Sequence, residues 1–200
     1  MGARGQPEHG VPPYPAELVG ELRTTEGAVL HLRPIRPDDA AVLVEFHRGL
    51  SARSIYRRFF SAHPTLSDKE LARFTHVDYA DRLALIALDG ERLVAVARYE
   101  RQPRSDEAEV AFVVADEYQH QGIGTLLLEH LAEAAWRRGI TRFVAETLTE
   151  NREMLHVFHQ VGFPVTTVSE SGVTTVRFPI EPDETYLAAR SARHSGPVTA

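Results

Sequence analysis

A chain of 200 residues, 43% hydrophobic and 25% charged, has the make-up of a globular protein large enough to bury a sizeable core. Its formal net charge of -6, with no compensating Lys/Arg block, argues against nucleic acid as a partner, and no apolar run is long enough to span a bilayer. The absence of cysteine removes disulfides, thiolate–metal sites and cysteine acyl-enzyme chemistry together, and with no apolar signal region at the N-terminus the cytoplasm is the expected compartment.

Residues 1–16 carry Pro7, Pro12, Pro13 and Pro15 with little to bury, and read as a disordered arm ahead of a domain spanning 17–181. Residues 18–24 and 28–35 alternate around Glu26-Gly27, which predicts a hairpin. Pro37-Asp38-Asp39 then opens a helix, with proline early and acids at the positive end of its dipole. That helix runs to about Gly49, and Val42, Leu43, Phe46 and Leu50 form its apolar face. Residues 51–60 predict a second helix, in which Arg53, Arg57 and Arg58 form a basic face that is either solvated or turned to an acidic protein partner. Ser67-Asp68-Lys69-Glu70 is a capping box opening a third. Residues 82–88 and 92–100 flank Asp89-Gly90, a hairpin signal. A strand at 107–115, a helix from Ile123 to Gly139 and a strand at 141–147 form a unit expected to be parallel and right-handed. A helix at 149–161 and strands at 162–169 and 173–180 complete the domain, and 182–200 reads as a polar tail that frays at its end.

The stretch from Glu109 to Gly139 organises the rest. Val- and Phe-rich alternation leads into Gln119-x-x-Gly122-x-Gly124, and a helix begins there, so glycine freedom and a positive helix end make an anion site suited to phosphate. The bland alternative is a tight strand-to-helix connection with no ligand. A dinucleotide fingerprint needs a third glycine where Leu127 stands, and the Gly-Lys-Ser/Thr of a P-loop is absent. What fits is Gln/Arg-x-x-Gly-x-Gly/Ala, which resembles the acyl-CoA pyrophosphate loop of the GNAT acetyltransferase superfamily. The resemblance extends to the run from Asn151 to Phe163, similar to that family's second CoA-side motif, and to the Leu32-Arg33-Pro34-Ile35-Arg36-Pro37-Asp38-Asp39-Ala40 opening. It implies an α/β fold: a mixed, bent β-sheet with helices on both faces.

The resemblance also implies roles. Main-chain groups of Val113 and Val114 would pair with pantetheine amides, and Gln119, Gln121, Gly122, Ile123, Gly124 and Thr125 would surround the pyrophosphate of acetyl-CoA, the expected co-substrate. Asn151 would face CoA or simply cap its helix. Acetyl transfer to an amine needs a proton acceptor, because lysine, with a pKa of about 10.4, is almost wholly protonated at neutral pH. Ala108-Glu109-Val110-Ala111-Phe112 resembles the context of the base glutamate in related protein-lysine acetyltransferases, so Glu109 is the candidate catalytic base, with Glu146 on the neighbouring strand next. Where many relatives carry an acidic tyrosine this chain has Phe158, which offers an apolar wall and no proton. His156 and His159 are spaced as metal ligands can be, but no third ligand accompanies them, and no metal is expected.

The opening motif, Arg58-Phe59-Phe60 and the run from Arg73 to Tyr79 look most like bacterial protein-lysine acetyltransferases of the Pat type, which silence AMP-forming acyl-CoA synthetases. That likeness implies an acyl-CoA synthetase as protein substrate. Two rivals stay open: acetylation of a small amine, and a non-catalytic module that senses acyl-CoA. Several relatives fuse this module to another domain, for which 200 residues leave no room, and a free-standing enzyme and one module of a longer protein both stay open.

Overall fold

Strand β3 (Arg82–Asp89) is apolar on both sides, and that fixes the layering. Leu83, Leu85 and Ala87 belong to one core, Ala84, Ile86 and Leu88 to another, as expected of a strand covered on both faces. The computed structural model describes residues 13–194, in which β1 (Gly20–Arg23), β2 (Val29–Pro34), β3, β4 (Arg92–Arg101), β5 (Glu107–Val114), β6 (Arg142–Leu148), β7 (Thr166–Glu170) and β8 (Val173–Pro179) form one sheet in the order β1-β2-β3-β4-β5-β6-β8-β7. Every neighbouring pair is antiparallel except β5–β6. The helices are α1 (Ala40–Gly49), α2 (Ala52–Phe59), α3 (Asp68–Thr75), α4 (Ile123–Trp136), α5 (Arg152–Gln160) and α6 (Glu184–His194). Leu43, Phe46 and Ile55 of α1 and α2 pack on one face, and Leu127, Leu131 and Phe158 of α4 and α5 on the other.

Local chemistry sets the boundaries. Ser67 and Glu70 exchange cap bonds at the start of α3, and Ser51 and Asn151 accept N–H bonds from Ser54 and Met154 at the starts of α2 and α5. At the turn into α1, Arg33 donates to both oxygens of Asp39, at 2.7 and 2.6 Å, and the Arg36 N–H adds a third bond at 2.7 Å. Burial works to raise the Asp39 carboxyl, but these bonds win and hold it below its ordinary value of 3.8. A depressed folded pKa gives stability that is present above the unfolded value and lost as pH falls through the folded one. The Asp39→Asn variant should therefore melt below the native protein at pH 7, by about 1–3 kcal/mol, and the gap should close as the pH drops below about 4. A gap that stays constant in an acid series of thermal melts would refute the assignment.

Two segments depart from expectation. Residues 184–194, read as polar tail, form α6. The reason is one face of that helix: Tyr186 stacks on Phe163 with ring centroids 4.3 Å apart, and Arg193 donates to Gln160 O at 2.6 Å and Val161 O at 3.0 Å and pairs with the buried carboxylate of Glu129. Gly162 permits the approach, since a Cβ there would lie 2.8 Å from Ala189 Cβ. Within the expected arm, Tyr14 donates to Pro34 O at 3.1 Å and meets Tyr79 edge-on. The rest of that arm, residues 1–12, and the end of the tail, residues 195–200, lie outside the described residues.

Burial pushes the Tyr186 hydroxyl up to about 12, and its oxygen has no partner among the described residues. Tyr186→Ala should cost about 3–5 kcal/mol by thermal denaturation, whereas Tyr186→Phe, which keeps the ring and removes the orphaned hydroxyl, should be neutral or stabilising. Equal losses for both would show that the hydroxyl has an unseen partner.

Candidate active site

The parallel pairing of β5 with β6 stops early. Only Glu107, Ala108 and Glu109 face partners, Arg142, Phe143 and Val144, although β5 continues to Val114 and β6 to Leu148. Beyond Glu109 the strands part and a cleft of about 710 Å³ opens between them, a size typical of small-molecule sites. Helices α2 and α5 form its sides, and the start of α4 closes one end.

The glycine turn is held from several directions. Asp116, just after β5, accepts bonds from the Ser51 N–H at 2.9 Å and from the Ser51 and Ser54 hydroxyls at 2.7 and 2.8 Å. Burial opposes ionisation there, yet those bonds keep Asp116 below its ordinary range, so the start of α2 is tied to the turn. The Gln119 amide donates to Val114 O at 3.1 Å and Ser54 Oγ at 3.2 Å, and the Thr25 N–H donates to Gln121 O at 3.1 Å. Gly122, at φ 78°, is the N-cap of α4 and offers no side-chain acceptor. The first N–H groups of α4 are thus left to a ligand, and the helix dipole favours an anion there. Space is tight at Gly124 too, where a Cβ would lie 3.3 Å from the Phe112 ring.

Of the expected site residues, Glu109, Val113, Val114, Gln119, Gly122, Ile123, Gly124, Thr125, Asn151 and Phe158 all line this cleft. Gln121 does not: its amide turns away and donates to Glu117 O at 3.2 Å. The backbone register separates the two valines. Ala115 N–H donates to Val94 O at 2.8 Å, and antiparallel alternation then directs the main chain of Val113 to Val96 of β4 and that of Val114 toward the cleft. Asn151 is buried and caps α5: its side-chain oxygen accepts from the Met154 N–H at 3.3 Å, and its own N–H donates to Leu148 O at 2.9 Å. Phe158 is buried edge-on against Phe112, with centroids 5.7 Å apart, so core packing and cleft wall coincide.

Glu109 is exposed at the point where the strands part, on the last parallel rung opposite Val144, and Glu146 lines the cleft from β6. Sequence reasoning missed Ser54, Arg57 and Thr147. Arg57 pairs with Glu153 across the cleft from α2 to α5, a contact between residues 96 apart in the chain that no local signal announces. Thr147 is fully buried in the wall, and its hydroxyl lacks a partner among the described residues. His63 and His76 do not line the cleft: His63 meets Glu70 at 3.0 Å, and His76 contacts Thr75 and Ala72 O. Among the described residues no group of three or more His, Asp or Glu is arranged to hold a metal ion, and no helix is long and apolar enough to cross a membrane.

The Acetyltransferase (GNAT) family matches residues 50–163, more than half of the chain and all of the cleft's lining but Thr25. The chain belongs to the GNAT acetyltransferase family. With that go the acyltransferase class and a fold of the expected kind, an eight-stranded mixed sheet that does not close. The GNAT domain of the S. lividans protein PAT superposes with a TM-score of 0.80 at 40% identity, covering 84% of this chain and 99% of that one. Among curated relatives, the acetyltransferase Pat of Mycolicibacterium smegmatis is 33% identical over 82% of this chain and 49% of its own length. An acetyltransferase of Pseudomonas aeruginosa is 30% identical over 69% of this chain and 76% of its own length. The chain thus spans about half the length of the M. smegmatis relative.

Proposed function

We propose that this GNAT protein transfers the acetyl group of acetyl-CoA to the ε-amine of a protein lysine by direct attack, with Glu109 as general base and AMP-forming acyl-CoA synthetases as acceptors. The observation that carries this reading is the cleft itself: an uncapped helix start at one end and Glu109 where the strands part. The residues suit acetyl-CoA. The N–H groups around Gly122 to Thr125 match a pyrophosphate. The main chain of Val114 lies where an amide-bearing pantetheine arm would run, and Thr147, in the same wall, has a hydroxyl with no partner among the described residues.

Bound acetyl-CoA supplies the thioester: the amine nitrogen forms the amide bond, the C–S bond breaks, and CoA leaves as a thiolate. Glu109 takes the proton that the ammonium must lose, directly or through a water, and the second proton, shed by the nitrogen as the amide forms, passes to solvent. Phe158 cannot return a proton to sulfur, and with an ordinary thiol pKa of about 8.5 the thiolate needs little help to leave. The Pat-like opening and the likeness to Pat support a protein acceptor, and the location follows as the cytoplasm, where such acceptors reside. The test is incubation with labelled acetyl-CoA and a panel of AMP-forming acyl-CoA synthetases, read by mass spectrometry of the proteins. Label on synthetase lysines supports the reading. Label only on small amines, or none, overturns the acceptor assignment.

A further inference from the structure

On the sheet face opposite α4, three arginines from three elements converge beside Glu109. Arg98 of β4 stands across from Ala111, two rungs beyond the Glu100–Glu109 pair, so its side chain shares a face with both carboxylates. Arg73 of α3 pairs with Glu100 at 2.7 Å. Arg58 of α2 lines both the main cleft and a smaller cavity of about 30 Å³ that Arg98 also lines.

Arg58 and Arg98 make no hydrogen bond or ion pair among the described residues. Each guanidinium is instead held over a ring, Arg58 above Phe59 at 5.0 Å and Arg98 above Phe74 at 3.9 Å. Burial, with the charges of Arg58 and Arg73, pushes Arg98 down to about 9; burial also lowers Arg58, against the attraction of Glu109. Guanidinium groups stay charged in proteins, so these shifts register cations held with too few anions. Glu100, the carboxylate that acts on Arg98, is already paired with Arg73, and Glu109, which acts on Arg58, acts on Arg73 as well, so three guanidinium groups share two carboxylates.

We propose that Arg58 and Arg98 form a carboxylate subsite adjoining Glu109, which selects a substrate bearing an anionic end next to the reacting centre. The planar guanidinium fork matches a carboxylate, and a cavity near the volume of one water admits a chain tip rather than a bulky phosphate. The carboxylate has two sources: the far end of a dicarboxylic acyl group on CoA, or an acidic residue beside the acceptor lysine. The inference rests on the acyl-transfer reading of the cleft.

The test has two arms, each run on the native protein and on Arg58→Met and Arg98→Met, which keep the apolar stems. The donor arm compares succinyl-CoA with butyryl-CoA by calorimetry, the two acyl chains having equal length. The acceptor arm compares kcat/KM on lysine peptides with Glu or Gln beside the lysine. Native protein should favour the carboxylate by about ten- to a hundredfold in one arm, and both variants should abolish that preference. The arm that responds names the source. No tenfold preference in either arm overturns the subsite, and absence of turnover on both peptides counts as no preference. A preference that survives both substitutions also overturns it. Acetyl-CoA is titrated alongside: if it binds while the preferences are absent, only the subsite falls, and if it fails to bind, the acyl-transfer reading falls with it.

Discussion

Glu109→Gln should lower turnover at pH 7 by about 10²–10⁴-fold while the affinity for acetyl-CoA changes little. Glutamine preserves shape and hydrogen-bonding capacity but cannot take the proton of an ammonium. Glu109 lies on the last rung before β5 and β6 part, at the cleft and away from the glycine turn at its far end, which is why binding and chemistry should separate. Lysine, with a pKa of about 10.4, is neutral in roughly one molecule of a few thousand at pH 7 and in a few per cent at pH 9. The defect of the variant should therefore shrink as pH rises, because more amine arrives without needing a base. Phe158→Tyr should leave turnover near native, since the protein works without an acid there. The measurement is a pH series of initial rates on one acceptor for native and variant enzyme. Native rates from the variant at pH 7 would remove Glu109 as base and move the role to Glu146, which lines the same cleft.

What was legible in the sequence was what is local. The strand, the Gln119-x-x-Gly122-x-Gly124 turn and the start of α4 follow one another directly, so alternation, glycine and helical spacing meet in one window and define the binding end of the site. Glu109 became the candidate base through the resemblance carried by its neighbours Ala108 and Val110 to Phe112, and the structure places it at the cleft. The residues that escaped depend on partners far along the chain. Whether Val113 or Val114 turns its main chain to the cleft is decided by the bond from Ala115 N–H to Val94 O, which belongs to the pairing with β4. Gln121 occupies a variable place in its motif, and only the carbonyl of Glu117 shows which way it points. The polar segment carrying α6 holds few apolar groups, yet Tyr186 on Phe163 and Arg193 on Glu129 are enough to dock it. Arg58 reads in the sequence as part of a basic helix face, and nothing local links it to Arg98 until α2 and β4 bring both to one cavity.

Gly122→Glu should raise the dissociation constant for acetyl-CoA by about 10²–10³-fold, and two effects combine in that figure. The first is conformational. Gly122 sits at φ 78°, where a side chain is strained, and a Cβ would come within 3.2 Å of Thr25 Cγ2. The Thr25 N–H is bonded to Gln121 O, so the neighbouring loop is tied to the turn it would have to leave. Such strain costs on the order of 1–3 kcal/mol. The second effect is charge. A carboxylate about 4 Å from a phosphate group opposes it by roughly 4 kcal/mol at the effective dielectric of a protein surface, and salt and side-chain rotation reduce that figure. The two separate by substitution: Gly122→Ala adds only the first and should weaken binding by about tenfold, with the remainder appearing in the glutamate variant and fading at high salt. Calorimetric titration of both variants, with thermal melts to confirm that each is folded, reads the two effects directly. Unchanged affinity in the folded glutamate variant would show that the start of α4 does not hold the pyrophosphate, and the CoA assignment of the cleft would have to be abandoned.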